Sequence, residues 1–223
     1  MTLARRLTAE FIGTAFLLLA VIGSGIMAER LAGGNVAIAL IANTLATGGA
    51  LVALIFAFGP ISGAHFNPAV TLSDAWQRGT PWSDVAPYML AQTVGALAGA
   101  ACANLLFGLP AFFPSHHDRS GPLLMASEFL ATFGLVTVIW GCVRVKSPAT
   151  PFVVAAYIVG AYWFTPSTCF ANPAVTLARS LTDTFAGIRP DNILGFASAQ
   201  FAGALAATAL FAWLQPRDAE AHV

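Results

Sequence analysis

Five stretches of the chain, 11–28, 31–73, 85–117, 147–178 and 192–216, contain no Asp, Glu, Lys or Arg. About 20 apolar residues carry a helix across a bilayer, so most of these runs hold at least one crossing and a water-soluble fold is excluded. Composition agrees: 57% of the residues are hydrophobic and 9% charged, against roughly 25% charged in an ordinary soluble domain. Ten basic and ten acidic residues cancel, so there is no basic surface for nucleic acid, and nucleic-acid partners are excluded. The first run is not expected to be a cleaved signal, because no small-residue cleavage pattern closes it. Cys102, Cys142 and Cys169 are odd in number and far apart within apolar sequence, which suggests neither a disulfide framework nor a zinc site.

Charge, Gly and Pro divide the chain into six helical candidates, 6–28, 36–58, 82–107, 122–144, 149–164 and 191–214. Two apolar stretches near 61–77 and 165–185 are left over, each too short to span. Short segments broken by Pro at matching places in two halves point to discontinuous helices at a binding or conduction site. The halves do match. Ala9-Glu10-Phe11-Ile12-Gly13-Thr14 returns as Ser127-Glu128-Phe129-Leu130-Ala131-Thr132, and Asn67-Pro68-Ala69-Val70-Thr71-Leu72 returns as Asn172-Pro173-Ala174-Val175-Thr176-Leu177. Gln92 and Gly95 are echoed by Gln200 and Gly203. Three crossings per half is an odd number, so the expectation is an all-α membrane protein built as an inverted repeat. Residues 1–223 form one domain, with repeats 1–108 and 122–215 joined by loop 109–121.

Asn is a favoured N-cap and Pro a favoured first helical residue, so Asn67-Pro68 and Asn172-Pro173 read as helix starts inside apolar sequence. Such a start leaves free N–H groups and a partial positive charge at membrane depth, tolerated only where the break is buried in protein or lines a wet cavity. Two such starts in an inverted repeat would meet near the midplane, repel cations and accommodate polar solutes. Basic residues favour a cytoplasmic N-terminus: Arg5, Arg6, Arg78, Arg144, Lys146 and Arg217 fall inside, against Arg30, Arg119, Arg179 and Arg189 outside. The expected location is the inner (plasma) membrane, multi-pass, with both termini cytoplasmic.

Glu10-Phe11-Ile12-Gly13-Thr14, Ser62-Gly63-Ala64-His65-Phe66-Asn67-Pro68-Ala69-Val70-Thr71 and Asn172-Pro173-Ala174 together resemble the major intrinsic proteins, the aquaporin and aquaglyceroporin family, over nearly the whole chain. The resemblance implies six tilted crossing helices plus two re-entrant half-helices, one pore per subunit, and a homotetramer in the lipid bilayer. It implies no cofactor and no metal. It also implies an outer constriction from four positions, which by spacing from the two Asn residues are Thr47, Gly160, Cys169 and Val175. The family usually has Arg where this chain has Val175. With Gly160 and three modest side chains in that ring, the expectation is a wide, weakly polar filter. Members with Val there resemble bacterial aquaglyceroporins associated with arsenic resistance, so the implied solutes are arsenous acid and methylated arsenicals, with glycerol, urea, ammonia and water compatible.

Other residues carry two readings each. Arg179, four beyond Val175 on nearly the same helix face, is expected to gather polar solutes at the outer vestibule, or else to snorkel or pair with Asp183. Asp74 is its counterpart on the other half-helix. Glu10 and Glu128, inside crossing helices, either brace the re-entrant loops or relay protons, and the resemblance implies bracing. His65 is either a loop-fixing hydrogen bonder or a pH gate. Cys169 is a reactive thiol in the ring or a small filler. His116-His117 bind a metal or lie in an exposed loop. A passive channel for small neutral solutes leads. A general glycerol and urea facilitator, a proton-coupled secondary transporter and a weakly conducting junction protein are the rivals. No catalytic constellation supports an enzyme.

Overall fold

The computed structural model describes residues 1–215. Arg217 and the C-terminal end, which entered the orientation count, lie outside the described residues. Those residues form eight α-helices: α1 Leu3–Leu31, α2 Val36–Ser62, α3 Pro68–Trp76, α4 Trp82–Leu106, α5 Pro122–Arg144, α6 Thr150–Phe164, α7 Pro173–Arg179 and α8 Ile193–Leu214, with a one-turn 3-10 helix Pro190–Asn192 before the last. Five elements are long and apolar enough to cross a membrane. The sixth, α6, has 15 residues, roughly 22 Å at 1.5 Å per residue, and the chain beyond it descends as the second re-entrant loop. The expected plan of six crossing helices and two short ones is present.

Small residues set the helix crossings. A Cβ on Gly95 would lie 2.3 Å from the Phe11 carbonyl oxygen and one on Gly99 would lie 2.1 Å from that of Ala15, so α4 rests directly on the backbone of α1. In the second half, a Cβ on Gly203 would lie 2.3 Å from the Phe129 carbonyl oxygen, which brings α8 onto α5 in the same way. Without water to drive helices together, such close backbone approach is how crossing helices gain packing energy. Outward faces carry Leu, Ile, Val and Phe, and Trp76, Trp82, Trp163 and Trp213 are exposed near helix ends, as suits side chains at a bilayer interface.

The two short helices start as their sequence dictates. Asn67 accepts from the Ala69 N–H at 2.9 Å, and Asn172 from the Ala174 and Val175 N–H groups at 3.0 and 3.3 Å. Each is followed by Pro in the first turn. The chain before each cap is held in unusual backbone. Ala64 and Phe66 have φ of 50° and 49°, and Cys169 and Ala171, at matching places before the second Asn, have 51° and 48°. Non-Gly residues rarely enter this region unless their surroundings hold them there.

Candidate functional site

The restraint on both loops comes from the buried carboxylates. Glu10 accepts from the N–H groups of His65 and Phe66 at 3.0 and 2.7 Å, from Ser62 Oγ at 2.6 Å and from Gln92 Nε2 at 2.8 Å. Glu128 accepts from the N–H groups of Phe170 and Ala171 at 2.9 and 2.8 Å and from Gln200 Nε2 at 2.6 Å. Both are fully buried, and neither lines the central cavity. Charge-assisted acceptance of loop N–H groups satisfies donors that the broken helices would otherwise leave bare in the membrane.

The two helix starts meet. Asn67 Nδ2 donates to the Ala171 carbonyl at 2.7 Å, and Asn172 Nδ2 donates to the Phe66 carbonyl at 2.8 Å. Each side chain thus caps its own helix with its oxygen and ties the opposite loop with its nitrogen. A cavity of about 280 Å³ runs past this junction, bounded by both Asn residues and, on its apolar side, by Leu17, Val21, Leu51 and Ile55.

At the end that carries loop 109–121, the cavity is lined by Thr47, Tyr162, Cys169, Val175 and Arg179. Thr47, Cys169 and Val175, three of the four residues picked out by spacing, line this end together. Gly160 does not line this cavity. A Cβ there would meet the Phe164 ring at 3.6 Å, on another face of α6. The stripe of α6 that faces the cavity is Val154, Ile158 and Tyr162, spaced four apart as one helix face requires. Tyr162, buried, donates to Thr47 Oγ1 at 3.5 Å. A ring composed only of small residues is thus corrected: a phenol occupies the α6 position. Spacing from Asn172 missed it, although the 154, 158, 162 periodicity was available in the sequence.

Arg179 does not pair with Asp183. It is buried, its Nε donates to the Ala186 carbonyl, and its guanidinium lies 3.3 Å from the centre of the Phe170 ring. Asp183 instead takes His116, through the backbone N–H at 2.8 Å and the ring Nδ1 at 2.9 Å. The His116 backbone N–H, and after it the imidazole, hold the Asp183 carboxyl below the ordinary carboxylate range. The His117 carbonyl accepts from the Arg189 N–H at 2.8 Å, so His116 and His117 both anchor the loop. Arg119, which the sequence offered only as a charge in the orientation count, ties the same loop down by donating to the Gly187 and Ser167 carbonyls at 2.8 and 3.3 Å.

At the other end, beside the N-terminus and the turn after α3, the cavity is lined by His65, Val70, Ser73, Asp74, Trp140 and Val143. His65 Nδ1 lies 3.1 Å from Thr71 Oγ1, and its Nε2 lies 3.8 Å from Asp74 Oδ2. Asp74 also accepts from Thr80 Oγ1 at 2.7 Å.

Two half-helices tied start to start inside a bundle of crossing helices, beside one narrow cavity, define a polytopic membrane protein with a passage through it. The profile of the major intrinsic protein family matches residues 1–169. Aquaglyceroporin AqpS of Rhizobium meliloti (strain 1021) is 51% identical over 212 residues, covering 95% of this chain and 91% of its own. Aquaporin NIP1-4 of Oryza sativa subsp. japonica is 32% identical over 215 residues, covering 92% and 75%. The X-ray structure of the aquaglyceroporin from Plasmodium falciparum superposes with a TM-score of 0.74 at 20% identity, covering 94% and 96% of the two chains, a likeness of fold. The chain belongs to the major intrinsic protein family, whose aquaporins and aquaglyceroporins are channels and not enzymes.

Proposed function

We propose that this chain is a passive channel for small neutral solutes that are larger than water as well as water itself. The proposed solutes are glycerol, metalloid hydroxides such as arsenous acid, and methylated arsenicals. The reading rests on one observation: Val175 lines the cavity beside Thr47 and Cys169, where most of the family would place an Arg. A short apolar side chain there leaves room that a guanidinium would fill. Tyr162 gives one wall of the ring a flat apolar surface with a hydroxyl at its edge, which suits a solute with hydroxyls on one face. The similarity to an aquaglyceroporin at 51% identity supports the polyol part of the proposal.

The same reading takes the halves as an inverted repeat with the N-terminus cytoplasmic, which puts the Tyr162 end outside, and takes the assembly as a homotetramer in the plasma membrane. Purified protein in detergent, sized by light scattering, tests the tetramer.

The functional test is parallel uptake by reconstituted vesicles of water, glycerol, urea, arsenous acid and, in buffer acidic enough to keep it uncharged, methylarsenate, for wild type and Val175→Arg. The expected result is gradient-independent flux of every neutral solute, with Val175→Arg cutting the larger ones much more than water. Equal loss of all fluxes would remove Val175 from the narrowest point. Saturating flux that follows a proton gradient would replace the channel with a coupled transporter.

A further inference from the structure

Among the described residues that line the cavity, two carry a formal charge apart from the imidazole of His65, and they are opposite in sign: Arg179 and Asp74. Arg179 stands seven residues after Asn172 and Asp74 seven after Asn67, so they hold the same place in the two copies of the motif. At 1.5 Å per residue each lies about 10 Å along its half-helix from the junction of the two caps. They point to different ends. Arg179 packs beside Ala186 and Phe170 under loop 109–121, whereas Asp74 sits with Thr80 and His65 beside the N-terminal side.

Neither charge is neutralised by an ion pair with a residue of opposite fixed charge. Arg179 spends Nε on the Ala186 carbonyl, and its two Nη groups have no hydrogen-bond partner among the described residues. They are also absent from the sealed polar atoms without partners, so they open onto the cavity that the residue lines. Asp74 accepts from a neutral hydroxyl, and its one titratable neighbour is His65 at 3.8 Å.

The consequence follows from the signs in order along the passage. Arg179 comes first, then the two helix N-termini, which together present partial positive charge at the junction, and then Asp74. A cation meets two successive positive barriers. An anion meets none until Asp74, and with Arg179 and the helix ends alone the passage would favour anions throughout. We propose that Arg179 and Asp74 form a two-sided charge filter: Arg179 turns back cations and donates to solute oxygens in place of the guanidinium that Val175 lacks, and Asp74 turns back the anions that Arg179 admits. The filter selects net-neutral oxygen-bearing solutes, so arsenous acid passes while ionised oxyanions of similar size do not.

The proposal rests on the channel reading, and wild-type glycerol flux, measured first, tests that reading separately. Potassium and chloride permeabilities are then read from reversal potentials across planar bilayers for wild type, Arg179→Gln and Asp74→Asn. Arg179→Gln is expected to raise potassium permeability about tenfold with little change in chloride, and Asp74→Asn to raise chloride permeability about tenfold with little change in potassium, the scale of one unit charge in a partly screened passage. Arg179→Lys and Asp74→Glu, which restore the signs, are expected to restore the blocks. No sign-specific leak in either neutral variant would overturn the pair, as would a leak that the charge-restoring variants fail to close. If either neutral variant stops glycerol, the charge-restoring variant decides: persistent loss of glycerol there makes the residue structural and overturns its place in the filter.

Discussion

Gly160 and Tyr162 lie on opposite sides of α6, two residues or about 200° apart, and the side that meets the cavity is that of Tyr162. The α6 wall of the cavity at the Thr47 end is therefore a phenol and not a missing side chain. Tyr162→Ala is expected to raise glycerol and urea flux relative to water severalfold, because it removes the one large wall of the ring. Gly160→Ala is expected to leave the ratios unchanged, since its new methyl would meet Phe164 at an ordinary 3.6 Å. Stopped-flow swelling with each solute checks both, and a Gly160→Ala effect equal to that of Tyr162→Ala would return Gly160 to the ring.

The loop braces give a stability prediction. Glu10 receives four donors, two on each oxygen, so Glu10→Gln turns an NH₂ group toward two of them whichever way the amide lies. Leaving buried donors unmet costs about 1–3 kcal/mol each, so the variant should melt clearly below wild type in detergent and lose solute flux. Glu128→Gln should behave alike, because its oxygens hold the Phe170 and Ala171 N–H groups. A proton relay would instead give a variant with normal thermal stability and altered pH dependence of flux.

The duplicated Asn-Pro-Ala, the Pro-broken short segments and the paired Glu positions were legible because each is a local rule or a repeat: capping, first-turn Pro, and acceptors for freed N–H groups. The helix limits followed in part from charge and Gly punctuation: α5 begins and ends at 122 and 144 as the sequence reads, whereas α1 runs 3–31 beyond the expected 6–28 and α2 continues through Pro60 to Ser62 beyond the expected 58. The α6 contribution to the ring was not legible by counting from Asn172. The count assumes a loop of fixed length between α6 and the cap, whereas the rotation of α6 is set by its packing stripe Val154, Ile158 and Tyr162. The anchoring of Arg179 was hidden for a related reason. Its partner is the backbone carbonyl of Ala186 and the face of Phe170, and no side-chain pattern in the sequence announces a carbonyl. Asp183 was available as a partner by type but is engaged by His116 from a loop nearly 70 residues away.

Backbone contact between helices sets a further limit on substitution. Gly95 and Gly203 occupy matching places, and a methyl on either would lie 2.3 Å from a carbonyl oxygen of the facing helix. Overpacking typically costs about 1–3 kcal/mol, and here the obstacle is rigid backbone. Gly95→Val and Gly203→Val should each abolish recovery of folded protein from membranes, whereas Gly49→Val, at a position with no heavy atom within 4 Å of the added carbon, should extract normally. Fluorescence size-exclusion profiles of the three variants separate these outcomes.

Asp183 fastens loop 109–121 over the Arg179 end, and its titration gives that contact a direction in pH. The His116 backbone N–H and imidazole depress its carboxyl below the ordinary value in the folded chain. The stabilisation this brings is present above the unfolded-state carboxylate range and is lost as pH falls through the lower folded value. The loop is therefore expected to stay docked at neutral and mildly acidic pH and to loosen only in stronger acid, where Asp183 takes a proton. Hydrogen exchange at the Phe113 and Ser115 amides, which donate to the Leu181 and Ser180 carbonyls at 3.0 Å each, reports the docking directly. Asp183→Asn should exchange faster than wild type at pH 7 and show no further acceleration in acid. Equal protection in the two proteins at pH 7 would show that the backbone bonds alone hold the loop and that Asp183 contributes nothing to it.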